Sequence, residues 1–574
     1  MGSRSMGRLA VTLAALGSLL AAAGCASVPS SGPVRAGDVV QAGVEEPFTR
    51  VIPQAPVAGL GPVAVVQGFL AASASFEDDH RVAREYLTPE ASATWDAGAG
   101  VVVYDDNAYS VRSTSPRKVE FRAETPATID ADGTLTPTGE ATTSTTFLLA
   151  RSGGEWRITS LSDGLFLTRL DVARSFRALD LFFLADQGTL LVPDPVYVPI
   201  VRPGAATSLM RALLGGPTPW LAPAVRTAFP PGTSLVVDAV PVENGIAMVN
   251  LSSEVLSASD AELSALTAQT VWTLSQLPEV TGVRITAEGS SLSLPGGEGV
   301  QTERDWIGFD PNASPSTVTG LAVDQGRVVE QNGDDFVAVP GSFGDGDYVL
   351  RTPTATWAGD RLAAVTADGR RLLVQDRAEP QRVSQVFEGE DLGPPSFDGD
   401  GTLWFVDRSE SGGSVVRVAD VSGVVRRVDA PALARRTVVE LDLARDGARA
   451  ALVVERSDGS GQLLLARVER TGTRIALTGL RPLERTLTDV RSAAWVASDR
   501  IVVLARQGGA LIQPWLVGIN GLVGQTGGSA KGLETIAAVP GRPLLAGTTD
   551  GRLLESTGLS WRELAPGRDP SYAG

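Results

Sequence analysis

The chain has 574 residues and is acidic: 66 Asp and Glu stand against 49 Lys and Arg, for a formal net charge of −17, with one histidine and one cysteine. That charge disfavours binding to DNA, RNA or an anionic membrane surface by electrostatics. A single cysteine permits no disulfide within the chain, and one His with one Cys cannot build a His/Cys zinc site. The length exceeds what one hydrophobic core supports and implies several domains.

The N-terminus reads as a targeting segment. Arg4 and Arg8 precede an uncharged apolar run over residues 9–23 (LAVTLAALGSLLAAA), a signal-peptide length that is short for a membrane-spanning helix. It ends in Ala22-Ala23-Gly24-Cys25, which resembles the bacterial lipobox, although that motif usually has Leu where Ala22 stands. The resemblance implies removal of residues 1–24 by cleavage between Gly24 and Cys25, and an N-palmitoyl, S-diacylglycerol cysteine at Cys25. The alternative is an ordinary secretory signal beside a chance cysteine. Two acyl chains suffice for stable anchoring where one does not. Cleavage removes two positive charges and no acid, so the mature chain is more acidic still. Residues 25–60 then form the lipidated end and a Pro-, Gly- and Ser-rich tether.

A first α+β domain is expected over residues 61–177. Pro62 suits the first turn of a helix, with Val63, Val66, Phe69 and Leu70 on one face. A second helix is expected over 81–87, ended by Thr88-Pro89. Strands are expected at 101–104, 118–124, 145–151 and 155–161, the last two joined at Ser152-Gly153-Gly154. Helices followed by a curved antiparallel sheet resemble the cone-shaped NTF2-like fold, whose cones often hold a pocket.

A second domain is expected over 178–297. A strand at 190–201 leads to a helix at 205–214, stopped by Gly215-Gly216-Pro217. Residues 233–241 and 246–251 are expected to pair as strands around Glu243-Asn244-Gly245, since Asn-Gly suits a tight turn. Ser259 and Glu262 have capping-box spacing and open a helix that Pro278 ends, before a strand at 280–287. The blocks LLGGP (213–217), AFPPGT (228–233), GIAMVNLSSEV (245–255) and LTAQTVWTLSQLPEVTGVRITAEG (266–289) together resemble a GerMN domain, an α/β module of extracytoplasmic bacterial proteins regarded as a binding module.

From 298 to 574 short apolar runs alternate with Gly/Asp turns. Comparable segments recur at 316–331, 354–374, 395–408, 441–456, 492–507 and 536–556, a spacing of roughly 40–50 residues that is the period of propeller blades. About six blades are expected, with a seam where the first and last strands meet; a sandwich with look-alike hairpins is the alternative. The fold class is thus multidomain, α+β followed by all-β. The whole order, from lipobox and tether through α+β domain and GerMN domain to propeller, resembles the actinobacterial lipoprotein LpqB family, and the near-replacement of lysine by arginine (Lys118 and Lys531 are the only lysines) fits a GC-rich genome. The resemblance implies an accessory of the MtrA–MtrB two-component system, lipid-anchored at the outer face of the cell membrane, that binds the extracytoplasmic domain of the sensor histidine kinase MtrB and affects cell-wall homeostasis and division.

Catalytic signals are weak. His80, in FEDDHRVAREYL, is expected as a solvated surface residue. No GxSxG elbow, Walker loop or GxGxxG unit stands out. Asp345 and Asp347 in GDGDY, and Asp398 and Asp400 in FDGDG, are candidates for paired-carboxylate chemistry or a calcium loop; Asp-Gly turn chemistry is the more ordinary reading. Trp357, Trp404 and Trp495 recur in the repeats and are expected to pack between blades, with an aromatic ligand platform as the alternative. The expectation is therefore no enzyme, no catalytic residue, no metal and no cofactor. A peptidoglycan or wall-polymer binding protein is the alternative function, and a propeller glycosidase a more distant one.

Overall fold

The computed structural model describes residues 53–574 except 200–203, 296, 298 and 409–412, and not the side chains of 139 and 140. Cys25, Gly24 and the tether through residue 52 lie outside the described residues. Among the described residues no helix is long and apolar enough to cross a membrane.

The first body packs the helix Pro62–Ser73 against a six-stranded sheet. The long strands Lys118–Asp130 and Leu135–Ser152 form its spine. Glu155–Ser160 extends it on one side, and Gly100–Tyr104 with Leu165–Thr168 on the other, the latter two in parallel. Val65, Val66, Phe69 and Leu70 are buried in the core, and Val63, half-buried, packs against it. Phe69 meets Trp95 and Phe147 edge-on, with ring centroids 5.2 and 6.0 Å apart. The second helix is shorter than expected, Arg81–Arg84. Thr88 instead caps a separate helix, Pro89–Thr94, by accepting from Ala91 N, because a Thr before Pro is a helix start as well as a helix stop.

The second body is built on a βαβ unit. The strands Ile246–Leu251 and Gly282–Ala287 run parallel, joined by the helix Asp260–Leu274. Ser259 and Glu262 form the expected reciprocal capping box. This helix is covered on one side by that sheet and on the other by the ribbon Phe176–Ala185 and Leu191–Pro199. Its buried polar side chains are therefore used. Gln269 donates to Phe182 O and accepts from Ala228 N, both at 2.8 Å, and Thr273 accepts from Phe182 N. Asn244 and Gly245 both adopt left-handed φ, as a tight hairpin turn requires. The strand expected at 233–241 does not form. Val242–Glu243 pairs with Ile246–Leu251, and of the segment before it Leu235 alone makes an antiparallel bridge, to Leu251, flanked by Val236 N to Asn250 O and Ser252 N to Ser234 O. Pro241 lacks the N–H that a continuing ladder needs there.

The remainder is a six-bladed propeller. Five four-stranded blades run in chain order from Leu350–Ala355 to Trp561–Pro566, the second of them with its first strand split into Asp391–Leu392 and Ser396–Phe397. Each of the six repeat segments supplies adjacent strands of a different blade. The first blade, Leu321–Asp324, Arg327–Asn332 and Asp335–Ala338, takes its innermost strand from the other end of the chain, Arg568–Ser571. The ring thus closes non-covalently and leaves no open inner edge at the seam.

Candidate functional site

Inner strands of a propeller face a narrow channel and carry backbone groups that no neighbouring strand pairs. Here small polar side chains satisfy them across blades. Ser396 accepts from Leu443 N at 3.1 Å, and Ser492 from Ile536 N at 3.1 Å. Glu440 accepts from Ala493 N at 2.8 Å and Ser492 Oγ at 3.2 Å. Asp442 accepts from Trp495 N at 3.0 Å. Asp569, in left-handed φ, accepts from Thr352 N at 3.2 Å. Burial pushes Glu440 up to about 8 and Asp442 to about 6, against the opposing hydrogen bonds from Ala493 and Trp495. Raised carboxylates in a cavity are an active-site pattern, yet each of these already ties one blade to the next.

The acidic repeat candidates resolve in the same way. Asp398 is 2 % exposed. One oxygen accepts from Asp400 N and Thr402 N, which is the turn itself, and the other accepts from Trp404 Nε1 at 3.1 Å and pairs with Arg470 at 3.0 Å. Asp345 lies far off, in the short helix Ser342–Asp345, and accepts from Gln381. Asp347 is exposed. Among the described residues no cluster of three or more His, Cys, Asp or Glu side chains is placed to hold a metal. Trp404 is fully buried between the third and fourth blades, beneath Arg470. Trp495 donates to Asp442 O at 3.1 Å and lies under Arg449. Trp357 is half-buried under Arg445. All three thus pack between blades as expected, Trp357 against Val318, Val539 and Leu545 of its neighbours.

No sequence motif points to the seam between the second body and the propeller. Arg449 is wholly buried. It pairs with Asp446, lies 5.1 Å over the Trp495 ring, and reaches Pro193 O of the second body at 3.4 Å, while its Nε finds no acceptor. Beside Pro193, Asp194 is 2 % exposed and accepts from Thr218 N and Oγ1 at 2.7 and 2.9 Å. Burial pushes it up to about 6, against those hydrogen bonds and the charges of Arg481 and Arg449. Trp220 projects from the second body onto the fourth blade, donating to Gly479 O at 2.7 Å, with Arg481 4.1 Å over its ring and Arg467 bonded to its carbonyl. Burial lowers Arg481 to about 10. Leu135 and Pro137 of the first body lie near Gly521 of the propeller.

His80 is not the solvated residue expected. It is 6 % exposed and sits between Phe76 (centroids 4.7 Å, rings tilted) and Trp95 (5.9 Å, edge-on). Asp78, Asp79 and His80 all adopt left-handed φ, a conformation costly for residues with a Cβ. This reversal turns the imidazole inward although its neighbours are acidic. Burial lowers its pKa, against Asp79 and the backbone of Ser73.

Fold and site together define a three-bodied protein, α+β, GerMN-type and propeller, whose polar groups mainly lock its parts together. Three family models match in that order: "Lipoprotein LpqB, N-terminal domain" over 55–173, "Sporulation and spore germination" over 180–293 and "Lipoprotein LpqB beta-propeller domain" over 326–573. The chain is 34% identical to Lipoprotein LpqB of Thermobifida fusca, covering 98% of both chains, and 31% identical to that of Mycobacterium bovis, covering 93% of this chain and 92% of the relative. It belongs to the LpqB lipoprotein family. Among solved structures, TolB from Acinetobacter baumannii aligns with 45% of this chain and 66% of its own at 19% identity and a TM-score of 0.35.

Proposed function

We propose that this protein is a non-catalytic, lipid-anchored accessory on the extracytoplasmic face of the membrane, and that it binds and modulates an MtrB-type sensor kinase of an MtrA–MtrB two-component system. Membership of the LpqB family over nearly the whole length carries the reading. It is supported by the carboxylates of Glu440, Asp442 and Asp398, which are engaged in holding turns and blades. Two acyl chains on Cys25 would confine the protein near the kinase, where a high effective concentration lets a weak contact act. The test is calorimetric titration of the mature chain, residues 25–574 carrying Cys25→Ser, into the purified extracytoplasmic domain of the kinase. Saturable binding supports the reading. No binding up to about millimolar concentration, together with retention on peptidoglycan, would replace it with a wall-polymer receptor.

A further inference from the structure

Between the first and second bodies lies an open cleft of about 360 Å³, within the size range of small-molecule sites. One wall is aromatic. Phe76 lies tilted against His80 and meets Phe176 edge-on at 5.2 Å, and Tyr197, on the strand paired with that of Phe176, also lines the cleft. Val101 and Leu165 complete the apolar floor. His80 is the polar member of this wall, nine-tenths buried, with its Nδ1 lacking any partner. Burial favours its neutral form, so the wall carries no positive charge. The lip is acidic. Asp130 and Asp132 stand together, and burial and then the neighbouring Asp132 raise Asp130 above the ordinary carboxylate range. Among the described residues no lysine or arginine lines the cleft.

We propose that this cleft binds a small cationic amphiphile, its apolar body against Phe76, Phe176 and Tyr197 and its ammonium head at Asp130 and Asp132. Aromatic faces attract cations, the two carboxylates oppose any anion, and a cation relieves the repulsion between them. Because the cleft is shared by two bodies, occupancy also ties them together.

The test uses the mature chain with Cys25→Ser and three probes of one shape: phenylbutylamine, phenylbutanol and phenylbutyrate. His80 is the only histidine in the chain, so its imidazole NMR signals report occupancy of the wall directly. The amine should shift those signals saturably and bind at least about tenfold more tightly than phenylbutyrate. Asp130→Asn with Asp132→Asn, at the exposed lip, should weaken the amine about fivefold and leave phenylbutanol unchanged, the effect of charges acting partly through water. Ala212→Phe, which fills the cleft from the second body, should abolish binding of both. Equal binding of phenylbutyrate, amine binding indifferent to the lip variants, or unshifted His80 signals at about 10 mM amine would overturn the proposal.

Discussion

Replacing Arg449 with Met keeps side-chain length and removes a charge whose partner cannot reach water. The Arg449 and Asp446 side chains are 1% and 3% exposed. Removing one partner of such a buried pair costs about 3–5 kcal/mol, because the other charge stays buried and unpaired. Stacking on Trp495 and the bond to Pro193 O are lost as well. Asp446→Asn in the same chain removes the stranded charge and keeps the turn, since Asn retains the oxygen that accepts from Ala448 N. The double variant should therefore recover most of the loss and sit about 1–2 kcal/mol below wild type. Urea unfolding followed by tryptophan fluorescence measures this. A chain of several bodies need not unfold in one step, so limited proteolysis of the native protein serves as a second readout, with Arg449→Met cut sooner than wild type. A single variant within about 1 kcal/mol of wild type, or a double variant no more stable than the single, would refute the reasoning.

Asp194 has a folded pKa raised to about 6, so the native state holds its proton more tightly than the unfolded chain. Its contribution is full below about pH 4 and lost as pH climbs through about 6. Asp194→Asn should be more stable than wild type at pH 8 and flatten the fall in stability between pH 5 and 8, as read from urea midpoints at each pH. The single imidazole signal should titrate below the ordinary histidine value of about 6.5, because burial favours neutral His80; a midpoint at or above about 6.5 would contradict the buried wall. By the same linkage its contribution is present above about 6.5 and lost as pH falls through the lowered folded value. Deleting residues 568–574 strips the first blade of its inner strand and should abolish cooperative propeller unfolding, measured by calorimetry. Ser259→Ala removes the helix cap and should cost about 1 kcal/mol, seen in the same urea assay.

Local chemistry was legible wherever a few adjacent residues decide the outcome. The Ser259–Glu262 capping box, the Asn244-Gly245 turn and the six propeller repeats each follow from short-range rules, and the structure forms them. The strand expected at 233–241 failed because apolar alternation does not reveal whether an edge needs the N–H that Pro241 lacks. The helix expected to run to residue 87 ends at Arg84 because Leu87 is drawn into a bridge with Ile158, a partner distant in the chain.

Sequence by itself determined the repeat period, the order of the three bodies and the turn chemistry of Asp398, since these depend on spacing and on side chains bonding to nearby backbone. Only the tertiary structure decided that Arg568–Ser571 completes a blade begun at Leu321, that Arg449 is buried against Pro193, and that His80 turns inward beside two aspartates. Each joins residues distant in the chain or overrides a local preference. Burial is a property of what packs against a residue, and neither a run of charges around His80 nor the single arginine in DGARAAL encodes its neighbour.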